Sequence, residues 1–562
     1  MGKLIILLVL GQSNEIRCVV MKEVLIFVTY LSASAALSCG DASAPLWPKA
    51  YTAAGRIVVP KASVDEPFVA YYDESASSSR IDYWDGHVKT FQNADSDGYM
   101  LRIVPVIPGT QHKVLSCFRQ KSAHGVTPQT VLPDLKNYKC ADTDVIDGVQ
   151  NQKWVFYDKR YMRNVKFTML VKIDVKDPSQ IVPLVFEVKV QDILLGVTSD
   201  HYFIYFDSYE PSLETVPNWK SEIDESLPNC TQYPNSTSKS HNYFNPMAEF
   251  VSNTDEHITD EWEEYKKKYK KMYAGLDNHM RRLNFKQNYR FVHSMNRAGL
   301  TYKTRINQFA DWKDEELSLL RGRQYNGGSN NASVFPAEEI LAKEVPASMD
   351  WRLYGAITPV KDQGLCGGGW AYAATGALEG SNFQRTGTLV SLSEQALMDC
   401  SWAYGNAGCD GGDDYKAFKW AANHGGLPLS DEYGSVTQEG ICHVDQLVLQ
   451  GPITEYVNVT SNDPAALRAA LSTIGPISVA LHASAKSFIF YSHGIYTDSS
   501  CKNSQRDLDH YALLIGYGEL RNKKYWLVKN SWSALWGNDG YILIAVDDNI
   551  CGVMTSPTYV TT

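Results

Sequence analysis

A chain of 562 residues is too long for one hydrophobic core, so two or three folded units with connectors are expected. Apolar residues make up 44% and charged residues 21%, an ordinary globular balance, and a net charge of −10 argues against nucleic acid as a partner.

Two apolar runs open the chain. Leu4 to Leu10 is followed by Gln12, Ser13, Asn14 and Glu15, and Val24 to Leu37 follows Met21-Lys22-Glu23. Neither reaches the ~20 residues of a stable membrane span. The second run ends in small residues, so 1–44 is read as a signal region, with translation starting at Met21 rather than Met1 and cleavage between Ala36 and Ala44. A signal anchor is the alternative. Eleven cysteines, six of them after residue 360, and sequons at Asn229, Asn235, Asn331 and Asn458 suit an oxidising, glycosylating route. The expected destination is extracellular fluid or a lysosome-like granule.

Eight short runs follow: Arg56–Val59, Phe68–Tyr72, Arg80–Trp84, Tyr99–Ile107, Gln152–Tyr157, Lys166–Ile173, Leu184–Val190 and Tyr202–Phe206. Aromatic and β-branched residues alternate with polar ones in each, predicting an all-β N-terminal domain over 45–230, as a sandwich or barrel. Cys117 and Cys140 are expected to pair there, and its scattered His, Asp and Glu residues form no constellation for catalysis. Residues 211–255, rich in Pro, Ser, Asn and Thr, predict an exposed connector, with the linker proper at 231–257.

Helical periodicity begins at Ile258 and runs through Asn296. Asp277, Arg281, Phe285, Asn288, Val292 and Asn296 fall at intervals of four, four, three, four and four, which puts them on one stripe of a helix. A solvated charged helix pair would give much of the same pattern. The set resembles the Glu-Arg-Phe-Asn-Ile-Asn signature of papain-type propeptides, with Asp277 and Val292 as mild departures. Asn307, Phe309 and Asp311 match the short motif that follows it. The resemblance implies that 258–340 is an inhibitory propeptide-like helical domain, the chain's own partner, running backwards through the cleft of an enzyme domain. Processing is expected between Gly327 and Pro346.

Asp350-Trp351-Arg352, Val360-Lys361-Asp362-Gln363-Gly364 and Trp536-Gly537-Asn538-Asp539-Gly540-Tyr541 resemble the papain family, cathepsin L-like, and with the prosegment the likeness covers about half the chain. It implies a papain-like peptidase domain over 341–562, α+β and two-lobed, with a helical lobe, a β-barrel lobe and a cleft between them. Together with the β-rich N-terminal region, the chain resembles the arthropod long-precursor haemocyte cysteine proteinases.

Where the family has Cys-Gly-Ser-Cys-Trp, this chain reads Cys366-Gly367-Gly368-Gly369-Trp370. Such chemistry needs a thiolate, its pKa lowered by a histidine and a helix N-terminus, to attack a carbonyl. Gly369, at the nucleophile position, has no side chain. By family register Cys366 pairs with Cys409, Cys400 with Cys442 and Cys501 with Cys551, leaving no free thiol in the domain. The resemblance makes Gln363 the oxyanion-hole side chain, His510 the general base and Asn530 the residue that orients it, with Trp532 as shield. Tyr511 stands where relatives carry a small residue and should intrude on the pocket for the second residue before the scissile bond. Gly411 and Gly412 match a loop that admits substrate backbone. Asp413 and Asp414 then form either an acidic pocket wall or plain surface charge. No cofactor or metal is implied.

Three functions remain open: a secreted homologue that binds peptide or protein ligands in an inactive cleft, an active cysteine-type endopeptidase, and a ligand-binding β domain carried on a peptidase scaffold.

Overall fold

The computed structural model describes residues 44–562 except 95–97, 107–113, 122–125, 147–148, 161, 175–180, 217, 222, 224–229, 234–241, 328–329 and 339–344. The signal region and the sequons at Asn229 and Asn235 lie outside the described residues.

The N-terminal strands are β1 (Ala50–Val59), β2 (Val64–Asp73), β3 (Ser78–Tyr83), β4 (Val88–Asn93), β5 (Tyr99–Val106) and β6 (Val114–Lys121). They continue as β7 (Lys139–Ile146), β8 (Val149–Arg160), β9 (Arg163–Asp174), β10 (Ile181–Asp192), β11 (Thr198–Glu210) and the two-residue β12 (Thr231–Gln232). All twelve lie in one sheet, in the order β12-β6-β5-β4-β3-β2-β1-β11-β10-β9-β8-β7. The hydrogen-bonded path through them is continuous, with β12 and β7 at its ends. The reason is β1, which pairs antiparallel with both β2 and β11 and so joins two meanders into one sheet. Alternate residues of β1 are buried, as the pleat requires. Trp154, Met169, Phe186 and Tyr202 fill the core, each contributing about 1.5–3 kcal/mol by burial.

The exposed connector is corrected. Trp219 and Ile223 pack with Phe91, Leu101 and Ile103, while Phe244, Met247 and Phe250 are buried. Cys117 is bonded to Cys230, not to Cys140, which is itself disulfide-bonded. Within its described parts, a few large apolar residues fasten otherwise polar sequence to the domain.

In the prosegment, helix Glu256–Lys268 packs on helix Gly275–Arg297 through Trp262, Tyr265 and Phe285, with Phe285 ring centroids at 5.4 and 4.9 Å from the other two. The striped residues act as internal ties. Arg281 donates to both carboxylate oxygens of Glu316, Asn288 Nδ2 to Ala310 O at 2.9 Å, and Asn296 Nδ2 to Thr304 O at 2.8 Å. Two prosegment strands, β13 (Tyr302–Thr304) and β14 (Ser333–Val334), occupy the two ends of a second sheet of ten strands. Between them lie peptidase strands, among them Tyr491–Tyr496, paired with β13, and Glu455–Asn458, paired with β14. The prosegment thereby covers both edges that the sheet would otherwise leave open. Helices Gly369–Thr386, Glu394–Cys400 and Asp414–His424 form a separate cluster through Trp370, Leu397, Phe418 and Trp420. Among the described residues, no helix is long and apolar enough to cross a membrane.

Candidate active site

Helix Gly369–Thr386 brings the site together because it is rich in small residues. A β-carbon on Gly376 would lie 2.6 Å from Leu513 Cδ2, and one on Gly380 would lie 2.4 Å from Pro476 Cδ. Strand His510–Leu520 can therefore lie hard against the helix, which sets His510 beside Gly369. Disulfide Cys366–Cys409 fixes the loop entering the helix, and Cys400–Cys442 and Cys501–Cys551 are also formed.

His510 is fully buried, with Nε2 bonded to Asn530 Oδ1 at 2.8 Å and Nδ1 left without a partner. The Trp532 ring lies 4.9 Å from the imidazole, centroid to centroid. Burial pushes the His510 pKa down to about 4, against the smaller upward pull of the Asn530 bond. The imidazole is therefore neutral at pH 7, and with Nε2–H given to Asn530, Nδ1 carries a lone pair. That lone pair faces Gly369, whose ideal β-carbon would fall 2.6 Å from His510 Cε1 and 2.8 Å from Nδ1. The ring occupies space that any side chain at 369 would need. The orphan N–H groups of the helix N-terminus would favour an anion here, yet this position supplies none.

Gln363 completes the group. Its Oε1 accepts from Ser531 Oγ at 2.5 Å, and its Nε2 donates to Cys366 O at 2.7 Å and to Leu320 O at 2.9 Å. Leu320 O thus occupies one of the two Gln363 amide donors. The next residues run along the glycine loop: Gly412 N–H donates to Gly322 O at 2.8 Å and Gln324 N–H to Gly412 O at 3.1 Å. Gly322 is obligatory, since a β-carbon there would lie 2.0 Å from Gly367 O, and one on Gly411 would lie 2.3 Å from Gly322 O.

Tyr511 is buried, and its hydroxyl donates to Asp413 Oδ1 at 2.7 Å. Asp413 and Asp414 are each only 3% exposed, so they are wall residues and not surface charge. Burial raises both carboxyls, Asp414 to about 7 with the neighbouring Asp413 adding to the effect. Of the described sequons, Asn331 is exposed. Asn458 is half-buried, its amide bonded both ways to Asn330 at 2.8 and 2.9 Å. Sequence reasoning missed Ser531 as the holder of Gln363, and missed Leu320, Gly322 and Arg323 as cleft occupants. A glycine between two arginines, Arg321-Gly322-Arg323, was the available signal.

Residues 345–561 match the papain family cysteine protease model, and 262–317 match the cathepsin propeptide inhibitor domain. The chain is 40% identical over 307 residues to digestive cysteine proteinase 1 of Homarus americanus, covering 53% of this chain and 94% of that protein. It is 39% identical to cathepsin L2 of Homo sapiens, covering 56% and 95%. Digestive procathepsin L2 proteinase from Tenebrio molitor larval midgut superposes with a TM-score of 0.51 at 32% identity, over 54% of this chain and all of that one. The β-rich N-terminal region lies outside both family models. The chain thus belongs to the papain family of cysteine proteases, as a cathepsin L homologue that carries its own propeptide inhibitor domain.

Proposed function

We propose that this chain engages peptide or protein in its cleft and does not hydrolyse it through a thiolate. The observation that carries this reading is Gly369 set against His510: the base is present, oriented and neutral, and its lone pair faces a residue with nothing to deprotonate. Gln363 and Asn530 keep the oxyanion and orienting positions, while Gly411, Gly412, Asp413, Tyr511 and Trp532 line the binding surface. In this reading 258–340 is the prosegment that occupies the cleft until 341–562 is released, and the disulfides and sequons fit passage through the secretory route. The β domain as the ligand-binding part is not favoured, because its interior is filled by side chains such as Trp154, Phe186 and Tyr202.

The test is hydrolysis of a fluorogenic peptide panel by the chain freed of its prosegment by limited proteolysis, beside Gly369→Cys and His510→Ala. Loss of a nucleophile typically costs on the order of a millionfold in rate, so the native protein should be silent. Gly369→Cys should regain activity to the extent that the imidazole moves back from the new side chain. Native activity that disappears in His510→Ala would overturn the reading.

A further inference from the structure

Prosegment Arg323 sits in a socket built by the peptidase domain. Its backbone is held first: its N–H donates to Asp509 O at 3.0 Å, and the residue bridges in parallel to Gly412. The guanidinium then finds an acceptor for each nitrogen. Nη1 donates to Gln505 O at 2.5 Å and Leu508 O at 3.2 Å, Nη2 to Gln505 Oε1 at 2.8 Å, and Nε to Tyr511 Oη at 3.3 Å. A planar fork of donors matches this set, whereas a lysine ammonium would reach only part of it.

The groove around it, about 430 Å³, is lined also by Asp413 and Asp414. Both are buried, Asp413 accepts the Tyr511 hydroxyl, and Asp414 Oδ2 has no hydrogen-bond partner. An apolar side chain placed here would leave the Gln505 and Leu508 carbonyls unpaired beside two acids, at a desolvation cost a guanidinium avoids. Tyr511, buried and bonded to Asp413, is itself one of the acceptors.

Resting on the peptide-binding reading above, we propose that this groove is an arginine-selective peptide site, in which an incoming peptide's guanidinium replaces that of Arg323 once the prosegment leaves. Selection comes from the Gln505 and Leu508 carbonyls and the Tyr511–Asp413 pair.

The test uses the full-length chain. Amide hydrogen exchange across 320–324 should be at least tenfold faster in Arg323→Leu, and less affected in Arg323→Lys. The loosened Arg323→Leu protein is then titrated with the labelled hexapeptide Leu-Arg-Gly-Arg-Gln-Tyr, the sequence of residues 320–325, and with the same peptide carrying leucine at its fourth position. At least tenfold tighter binding of the arginine peptide is expected. Gln505→Met reads the contact from the socket side and should narrow that ratio. Unchanged exchange in Arg323→Leu, equal affinity for the two peptides, or binding of neither overturns the proposal. Hydrolysis by the native protein would overturn the non-hydrolysing reading alone and leave the arginine preference standing.

Discussion

The prosegment touches two bodies, and it touches them in opposite ways. Toward the peptidase domain it uses strand edges and neutral oxygens: β13 and β14 at the sheet edges, Leu320 O on Gln363, glycine-to-glycine contact at Gly322, and the Arg323 guanidinium on Gln505, Leu508 and Tyr511 oxygens. Toward the β domain and the connector beside it, which carries Glu249 and Asp255, helix Gly275–Arg297 uses buried charge. Arg297 forks onto Glu66, with Nη2 to Oε2 at 2.6 Å, and Arg290 bridges Asp200 at 2.8 Å and Glu249 at 2.5 Å. Lys286 joins Asp200 at 3.0 Å and Asp255 at 3.2 Å. Strand edges and neutral oxygens leave no unpaired buried charge when they part, and water can satisfy the groups set free. A buried ion-pair interface cannot be opened one partner at a time without stranding a charge. The difference implies that the prosegment leaves the cleft more readily than it leaves the β domain.

The largest effect that could break this comparison is at Glu66, which is fully buried. Glu66→Ala leaves the Arg297 guanidinium unpaired and should cost about 3–5 kcal/mol, read by denaturant unfolding. Replacing Glu66 and Arg297 together with methionine should restore most of the loss; if the single variant costs under about 1 kcal/mol, the pair is not a clamp. On the other face, Gly322→Ala drives a β-carbon to 2.0 Å from Gly367 O. An overpacking cost of about 1–3 kcal/mol should appear as faster amide exchange at Gly322 and Gln324, with the charged face unchanged.

These two faces were unequally legible in the sequence. The striped residues of the prosegment helix and the registers around Gln363, His510 and Asn530 could be read because spacing and motif carry them. The charged face could not, since Glu66, Asp200 and Glu249 lie on separate elements far from Arg290 and Arg297 in the chain, and pairwise spacing says nothing of such meetings. The twelve-stranded sheet was two-thirds visible. Eight strands showed alternation, whereas β4, β6, β7 and the two-residue β12 were missed, and the pairing of β1 with β11 is a long-range event that no local signal announces. Gly369 itself was plain in the sequence, but how near the His510 ring lies to it depends on how closely helix and strand pack.

A smaller effect sharpens the picture of the cleft through pH. His510, depressed to about 4 in the fold against an ordinary 6.5, contributes stability that is present above pH 6.5 and lost as pH falls through 4. Asp414, raised to about 7 against 3.8, acts in the other sense: its contribution is present below 3.8 and lost as pH rises through 7. Between pH 4 and 6.5 the two oppose each other. Asp414→Asn removes the falling component, so its unfolding free energy relative to the native chain should climb by up to about 1.4 kcal/mol per pH unit in that window. A flat difference would mean that Asp414 is ionised in the fold and would leave the groove more strongly anionic at neutral pH.

The smallest expected effect sets the scale for the rest. Asp277, the residue that departs from the family's glutamate, pairs with Arg281 one turn on at 3.3 Å, and its side chain is 48% exposed. Solvent screens such a pair, and Arg281 retains its two bonds to Glu316 without it. Asp277→Ala should therefore cost no more than about 0.5 kcal/mol, an amount that fades with added salt. Glu316→Ala removes the better-placed partner and should cost more, measured in the same unfolding assay. If Asp277→Ala proved the costlier of the two, Arg281 would owe its position to its own helix, and the tie from that helix to the segment entering the cleft would lose its support.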